Sequence, residues 1–415
     1  MNESILYQKL EKIHNEAITS SVEQSIEKYL ELLNLYPNET IIYQHLGVYF
    51  AKHRLFDQAL LAIDSGIELE ATNSKNYFLK GRIHDELLNY AESIKSYEKC
   101  LELDPADQQA KFNLSLAFLS VDDFEKGLPL YKYRLSDEQL SRFSGIHNWD
   151  MPGRTGKVLI WSEQGVGDEI MFLRLAPVLS KLESRFFIEC DKRFISTLQL
   201  NFPDMFFLPK GSEISNSEFD YQCPMGDLLV HFYPELKQEW IQNHFLKPAI
   251  RNDLESVISG VSNKKKKIGI SWLSMNEEYG TRRSIHITQL LQHLDPAKCV
   301  LVNLQYLVPE EDVKRIEEAG FELIDPVDCF NDLEGLFSLI CHCDHVISID
   351  NSVVHLAGSL GVDVKLLLPR LPNWRWGLEK VKCDWYPTVD IFRQDASMSW
   401  DAVIQKACNS ISYET

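Results

Sequence analysis

The chain has no apolar run that reaches the ~18 residues of a membrane-spanning helix, so no span is expected. It also lacks a cationic surplus. Forty-two Lys and Arg face 61 Asp and Glu, a formal net charge of −19, which argues against a general nucleic-acid binder. A local basic pocket for a small anion remains compatible with that balance. No CxxC pair occurs, and the nine cysteines, an odd number, are scattered from Cys100 to Cys408. They read as reduced, mostly buried thiols, not as a disulfide framework. The first residues, MNESILYQKLEK, show no basic head followed by an apolar stretch, so no secretory signal is read and a cytoplasmic location is expected. What is present is ordinary globular composition, 45% apolar and 25% charged. At about 100–200 residues per domain, the 415 residues make two to four domains.

The first third repeats itself. Pro37 and Pro105 lie two 34-residue periods apart, with Ala71 midway. Gly47 and Gly81 are 34 apart, and Tyr29, Ile63, Tyr97 and Tyr131 fall on one 34-residue register, as do Leu32, Gly66 and Cys100. Each unit reads as two amphipathic helices separated by a polar break. The small residue at the Gly47 and Gly81 register lets paired helices approach. This pattern resembles the tetratricopeptide repeat over about residues 6–135. Such solenoids present a concave surface, which reads either as a peptide-docking groove or as a spacer.

After Tyr133 the pattern changes. SGIHNWDMPGRTGK (144–157) reads as a linker, rich in Gly and Pro. Strands and helices then alternate. KVLIW (157–161), RFFIEC (185–190), MFFLP and FDYQC are expected strands of a first lobe. A second boundary lies near residues 251–267, where the run Lys264–Lys267 reads as a solvated linker before IGISW (268–272). VLVNLQ (300–305), FELIDP, HVISID (345–350) and VKLLLP (364–369) continue as strands, with helices between them and a closing helix over 397–412. Ligands of such sheets sit beyond the carboxyl ends of the strands.

Four stretches could carry chemistry. Ser162-Glu163-Gln164-Gly165-Val166-Gly167-Asp168 is a turn from strand to helix. It is neither the dinucleotide fingerprint nor a P-loop. Asp168 reads there as a helix cap or as a catalytic base. In Asp350-Asn351-Ser352-Val353-Val354-His355, Asp350 ends a strand, Asn351 or Ser352 caps a helix whose free N–H groups suit a phosphate, and His355 lies in the first turn. Arg282 and Arg283 follow a strand end and read as surface charges or as phosphate ligands. Cys341-His342-Cys343-Asp344-His345 looks metal-like but lacks zinc spacing, so no metal is expected.

Taken together, the repeat array, SEQGVGDEIMFLR, ISIDNSVVHLAGSLGV, LPRLPNWRWGL and WYPTVDIFRQ resemble one bacterial family. These are tetratricopeptide-repeat glycosyltransferases related to the heptosyltransferases, of which the flagellin glycosyltransferases are members. The resemblance implies an α solenoid followed by an α/β GT-B fold of two Rossmann-like lobes. The implied domains are residues 1–143 for the repeats, 144–262 for an acceptor lobe and 263–415 for a nucleotide-sugar lobe. The last helix is a candidate to pack back on the first lobe. By motif match, Asp168 corresponds to the catalytic base, beside Gly165 and Gly167 of the glycine loop. Asp350, Asn351, Ser352 and His355 correspond to the segment at the donor diphosphate, and Arg283 to a basic residue facing phosphate. Trp374 and Trp376 flank the donor pocket, stacking on a base or walling it. The implied reaction is inverting, metal-independent transfer from a nucleotide-sugar, which is a substrate, so no cofactor is implied. The implied partner is a protein acceptor such as flagellin, modified at Ser or Thr and docked by the repeats. The rivals are a lipid or saccharide acceptor, and a scaffold that binds nucleotide-sugar without turnover.

Overall fold

The computed structural model describes residues 3–16, 20–150, 153–239, 244–248, 251–260, 265–276 and 280–413. The chain forms two compact units, Met1–Arg134 and Leu135–Thr415.

The first unit is a helical solenoid. Its helices are Glu3–Glu16, Val22–Leu35, Thr40–Lys52, Phe56–Leu69, Ser74–Glu86, Tyr90–Leu103, Gln108–Ser120 and Phe124–Tyr131. The 34-residue register explains its packing. A Cβ on Gly47 would lie 2.6 Å from Ile63 Cδ1, and one on Gly81 would lie 2.7 Å from the Tyr97 ring. The large residue of the second helix thus fills the space the glycine leaves, 16 positions later in both units. Tyr29, Ile63 and Tyr97 are almost wholly buried on that register. The turn inside each unit repeats as well. Arg54, Leu88 and Asp122, each 34 apart, all take the left-handed conformation, with φ of 62°, 60° and 61°. The next N–H then closes on the preceding helix each time: Leu55 to Phe50, Asn89 to His84 and Asp123 to Phe118, all at 2.9 Å.

The second unit holds two parallel sheets. The first contains β1 (His147–Asn148), β2 (Lys157–Trp161), β3 (Arg185–Cys190), β4 (Phe206–Pro209) and β5 (Tyr221–Pro224), in the order β1-β5-β2-β3-β4. The second contains β6 (Lys266–Ser271), β7 (Cys299–Asn303), β8 (Leu323–Ile324), β9 (His345–Ile349), β10 (Val364–Leu368) and β11 (Val389–Arg393), in the order β11-β10-β9-β6-β7-β8. From β8 this is the doubly wound order 3-2-1-4-5-6, which reverses direction between β6 and β9. The first sheet reverses between β2 and β5. These two switch points are where crossover helices diverge and leave a crevice beyond the strand ends.

The structure differs from the sequence reading in four places. Residues 135–143 leave the repeats, because Leu135, Phe143 and Ile146 bury against Leu159 and Trp161 of the first sheet. The expected linker contains β1, which pairs with β5 at His147–Tyr221 and buries Trp149 behind it. Lys266 and Lys267 open β6 and are only partly exposed. The last helix, Asp401–Asn409, packs on the second sheet, since Val403, Ile404 and Ala407 bury among Ile268, Trp272 and Leu290. The junction expected at residue 262, Lys264, and residues 151 and 152 lie outside the described residues.

One partly buried acid marks the solenoid. Asp85 accepts from Tyr97 Oη at 2.6 Å and from Ser93 Oγ. Burial nevertheless pushes its pKa up to about 6, opposed by those two hydrogen bonds. A raised acid contributes stability that is complete below its unfolded value of about 3.9 and lost as pH rises through the folded one. Asp85→Asn should therefore melt above the wild type at pH 7, by up to about 3 kcal/mol for some two pKa units. The advantage should vanish near pH 4. Calorimetry at both pH values checks this, and an equal difference at both would refute it.

Candidate active site

The glycine loop leaves β2 at its carboxyl end and enters the helix Val166–Leu173. Glu163 closes the switch point of the first sheet by accepting from Met225 N and Gly226 N, both at 3.1 Å. Beneath the loop lie two buried acids joined by one serine. Ser162 donates its hydroxyl to Glu169 and its N–H to Glu189 at 3.2 Å. Glu169 also accepts from Asp191 N at 2.9 Å, and Glu189 from Arg142 Nη1 at 2.8 Å. Burial raises the pKa of Glu169, while Ser162, the Asp191 N–H and the Lys210 ammonium pull it down. Gly165 caps the helix with extended backbone, and among the described residues a Cβ built there would meet only Asp168 Oδ2, at 3.9 Å. Among the described residues, nothing else fills the space next to Asp168 above the loop.

In the second sheet, Asn351 caps the helix Ser352–Ser359. Its side-chain oxygen accepts from Val353 N at 3.0 Å and from Ser348 Oγ at 3.2 Å, and its amide donates to Ser271 Oγ at 2.8 Å and to Leu273 O at 3.3 Å. Asn351 thus ties the end of β9 to the end of β6 across the switch point. Gln305 secures the same end of β6, accepting from Ser271 Oγ, Trp272 N and Leu273 N. Asp350 is buried and lies 3.4 Å from Arg283 Nη1, which also donates to the Asp350 carbonyl at 3.3 Å. Ser352 is partly exposed at the first position of the helix.

The two strand-end loops meet. Asp168 forms an ion pair with Arg375, whose side chain is only 9% exposed. A Cβ on Gly167 would lie 2.8 Å from Cδ2 of His355, so the loop needs glycine for the helices to come this close. His355 is buried against Trp376, with ring centroids 5.2 Å apart, and its Nδ1 lies 3.0 Å from Tyr386 Oη. Burial, then the positive charges of Arg375 and Arg283, hold the pKa of His355 well below its ordinary value. The imidazole is neutral at pH 7.

The sequence-predicted residues therefore divide. Gly165, Gly167, Asp168 and His355 share one locus, and Asp350, Asn351, Ser352 and Arg283 surround the start of the same helix as His355. Asn351 uses its side chain to hold the fold. Trp374 and Trp376 are both buried. Trp374 packs edge-on to Trp385 at 5.9 Å and Trp376 lies on His355, so Trp376 does not turn that face to open space. Sequence reasoning missed Arg375 and Tyr386. Arg375 sits between those tryptophans, and a charge inside an aromatic run was the signal for it. The Cys-His-Cys run does not converge: Cys343 Sγ points to Leu339 O, His342 Nδ1 to Ser338 O and His345 to Asp363. Among the described residues no group of three or more His, Cys, Asp or Glu is placed to hold a metal. No helix among them is long and apolar enough to cross a membrane.

Comparison with known proteins locates the repeats independently. The tetratricopeptide-repeat family profile matches residues 74–107. Protein FlbA of Caulobacter vibrioides is 24% identical over 423 aligned residues, covering 94% of this chain and 70% of that protein. Among solved structures, MamA is 18% identical over 34% of this chain and 82% of its own, with a TM-score of 0.29. A glycosyl transferase family 9 protein from Veillonella parvula is 14% identical over 62% of this chain and 92% of its own, with a TM-score of 0.42.

Asn351→Ala removes a helix cap and two bonds across the switch point, and should cost about 2 kcal/mol. The measurement is the second unit's melting temperature. A shift of less than a degree would show that the tie is dispensable.

Proposed function

We propose that the second unit is a glycosyltransferase of GT-B type, moving a sugar from a nucleotide-sugar to a hydroxyl. The observation that carries this reading is the meeting of Asp168, from the first sheet's switch point, with Arg375 and His355, from the second. A carboxylate facing cationic and N–H donor groups across a strand-end crevice suits a reaction that develops charge on a phosphate leaving group.

The chemistry follows from those groups. An acceptor hydroxyl attacks the anomeric carbon from the Asp168 side, and its proton passes to the carboxylate. The bond from that carbon to the phosphate oxygen breaks on the opposite face, so the configuration inverts. The departing phosphate takes the electron pair and the negative charge. Arg283, the N–H groups at the start of the helix Ser352–Ser359 and His355 stabilise that charge from fixed positions, and Arg375 joins them once substrate draws it from Asp168. Asp350 holds Arg283 in place. Arg375 pairs with Asp168 in this structure, so substrate must share or displace that contact. The repeats would dock a protein acceptor, and flagellin modified at Ser or Thr is the acceptor that the family resemblance implies. The nucleotide-sugar is a substrate and the cell compartment is the cytoplasm on this reading. The Asp168–Arg375 pair also favours a second reading, a scaffold that binds nucleotide-sugar without turnover.

Screening UDP, GDP, ADP and CMP with their sugars should give one ligand that raises the melting temperature, by about 2.7 kcal/mol of stability at a hundredfold excess over Kd. With that donor, Asp168→Asn should lower transfer by on the order of 10²-fold or more while donor binding persists. Unchanged transfer would remove the base assignment, and binding without any turnover in the wild type would favour the scaffold. Deleting residues 1–134 should abolish modification of a protein acceptor and spare donor binding. Full protein modification by the truncated chain would remove the docking role.

A further inference from the structure

The motif WYPTV has no part in the reaction as drawn above, yet its tyrosine reaches the centre of the site. Tyr386 is wholly buried. Among the described residues its hydroxyl has one hydrogen-bond partner, Nδ1 of His355 at 3.0 Å. A buried hydroxyl with one available acceptor donates to it, because leaving that proton unpaired would cost about 1–3 kcal/mol. Nδ1 is then the acceptor. The ring is neutral, since burial and the charges of Arg375 and Arg283 oppose a second proton. Its single proton must sit on Nε2.

The surroundings fix where that proton points. A Cβ on Gly167 would lie 2.8 Å from Cδ2 and 3.4 Å from Nε2, so this edge of the ring faces the glycine loop. Gly358, one turn after His355 on the same helix face, provides the bed for Tyr386: a Cβ there would come within 2.5 Å of the tyrosine ring. Trp376 covers a face of the imidazole at 5.2 Å and 35°. Nε2 has no protein hydrogen-bond partner among the described residues, and an N–H donor held in this way suits a phosphate oxygen.

We propose that Tyr386 is a positioning residue for this site: its hydroxyl fixes His355 in the neutral tautomer that carries its proton on Nε2, turned toward the glycine loop to meet an anionic ligand of the diphosphate class. The functional consequence rests on the reading of His355 as a phosphate contact; the tautomer does not.

The test is nitrogen-15 NMR of the full chain labelled at histidine, with His355 assigned among the 12 histidines by the signal lost in His355→Gln. The wild type should show His355 protonated on Nε2 and not titrating between about pH 6 and 8. Tyr386→Phe should lose that single tautomer and bind inorganic pyrophosphate about tenfold more weakly, the equivalent of one net hydrogen bond. Protonation on Nδ1 in the wild type, or an unchanged tautomer in Tyr386→Phe, would overturn the role of Tyr386. If that variant does not fold, the wild-type tautomer decides. Pyrophosphate binding unchanged in His355→Gln would instead overturn the reading of His355 as a phosphate contact, and the two failures are distinct.

Discussion

The site depends on one close approach. The helix Val166–Leu173 follows the first sheet's β2, and the helix Ser352–Ser359 follows the second sheet's β9. They touch where Gly167 meets the ring of His355, with no room for a methyl group between them. Each helix begins at the switch point of its own sheet, so this single contact brings two strand-end crevices together. The ion pair that joins the two strand ends follows from it. Asp168 can reach Arg375 only because the helix carrying it lies this close. A larger side chain at position 167 would push the helices apart and separate the carboxylate from the guanidinium.

The surface charge of the chain hides this arrangement. A net charge of −19 describes the whole chain, while the site gathers Arg283, Arg375 and the start of a helix in a half-buried place. The local field there is set by burial and by short distances, which act undiluted where water is excluded. Histidine responds to the same conditions in the opposite sense. Between two guanidinium groups it stays neutral and keeps one N–H donor, which is the form that can bind an anion without adding a third cation to be desolvated.

How far this was legible in the sequence varied with the kind of signal. The repeats were readable because Gly47, Gly81, Ile63 and Tyr97 recur at a fixed period, and the structure pairs them as small against large. The strands of both sheets were readable where they are short, apolar runs buried on both faces, as in β2, β3 and β9. β1 and β11 were not, since His147–Asn148 is polar and Val389–Arg393 alternates at an edge of its sheet. Within the site, the glycine loop and the segment from Asp350 to His355 could be found because glycine and capping residues have local causes. Arg375 and Tyr386 could not be found that way. Their partners, Asp168 and His355, lie far away in the chain, and only the fold brings them together. The same holds for the final helix, whose apolar positions say that it packs but not on which sheet.

The tryptophans show why residue type alone misleads at such a site. An aromatic ring beside a pocket expected to take a nucleotide suggests stacking on a base, but Trp376 is fully buried and lies on His355. Its indole N–H has no hydrogen-bond partner among the described residues. Leaving such a group unpaired costs about 1–3 kcal/mol, and folding tolerates that only where something else depends on the ring. Here the ring immobilises His355 from one face while Tyr386 holds Nδ1 and Gly167 packs close against the opposite edge. Groups fixed in advance need no rearrangement when charge develops on a ligand, so the cost is met in folding and the benefit appears in binding. The aromatic cluster therefore restricts one imidazole, and on the reading proposed above its specificity resides in which nitrogen faces the glycine loop.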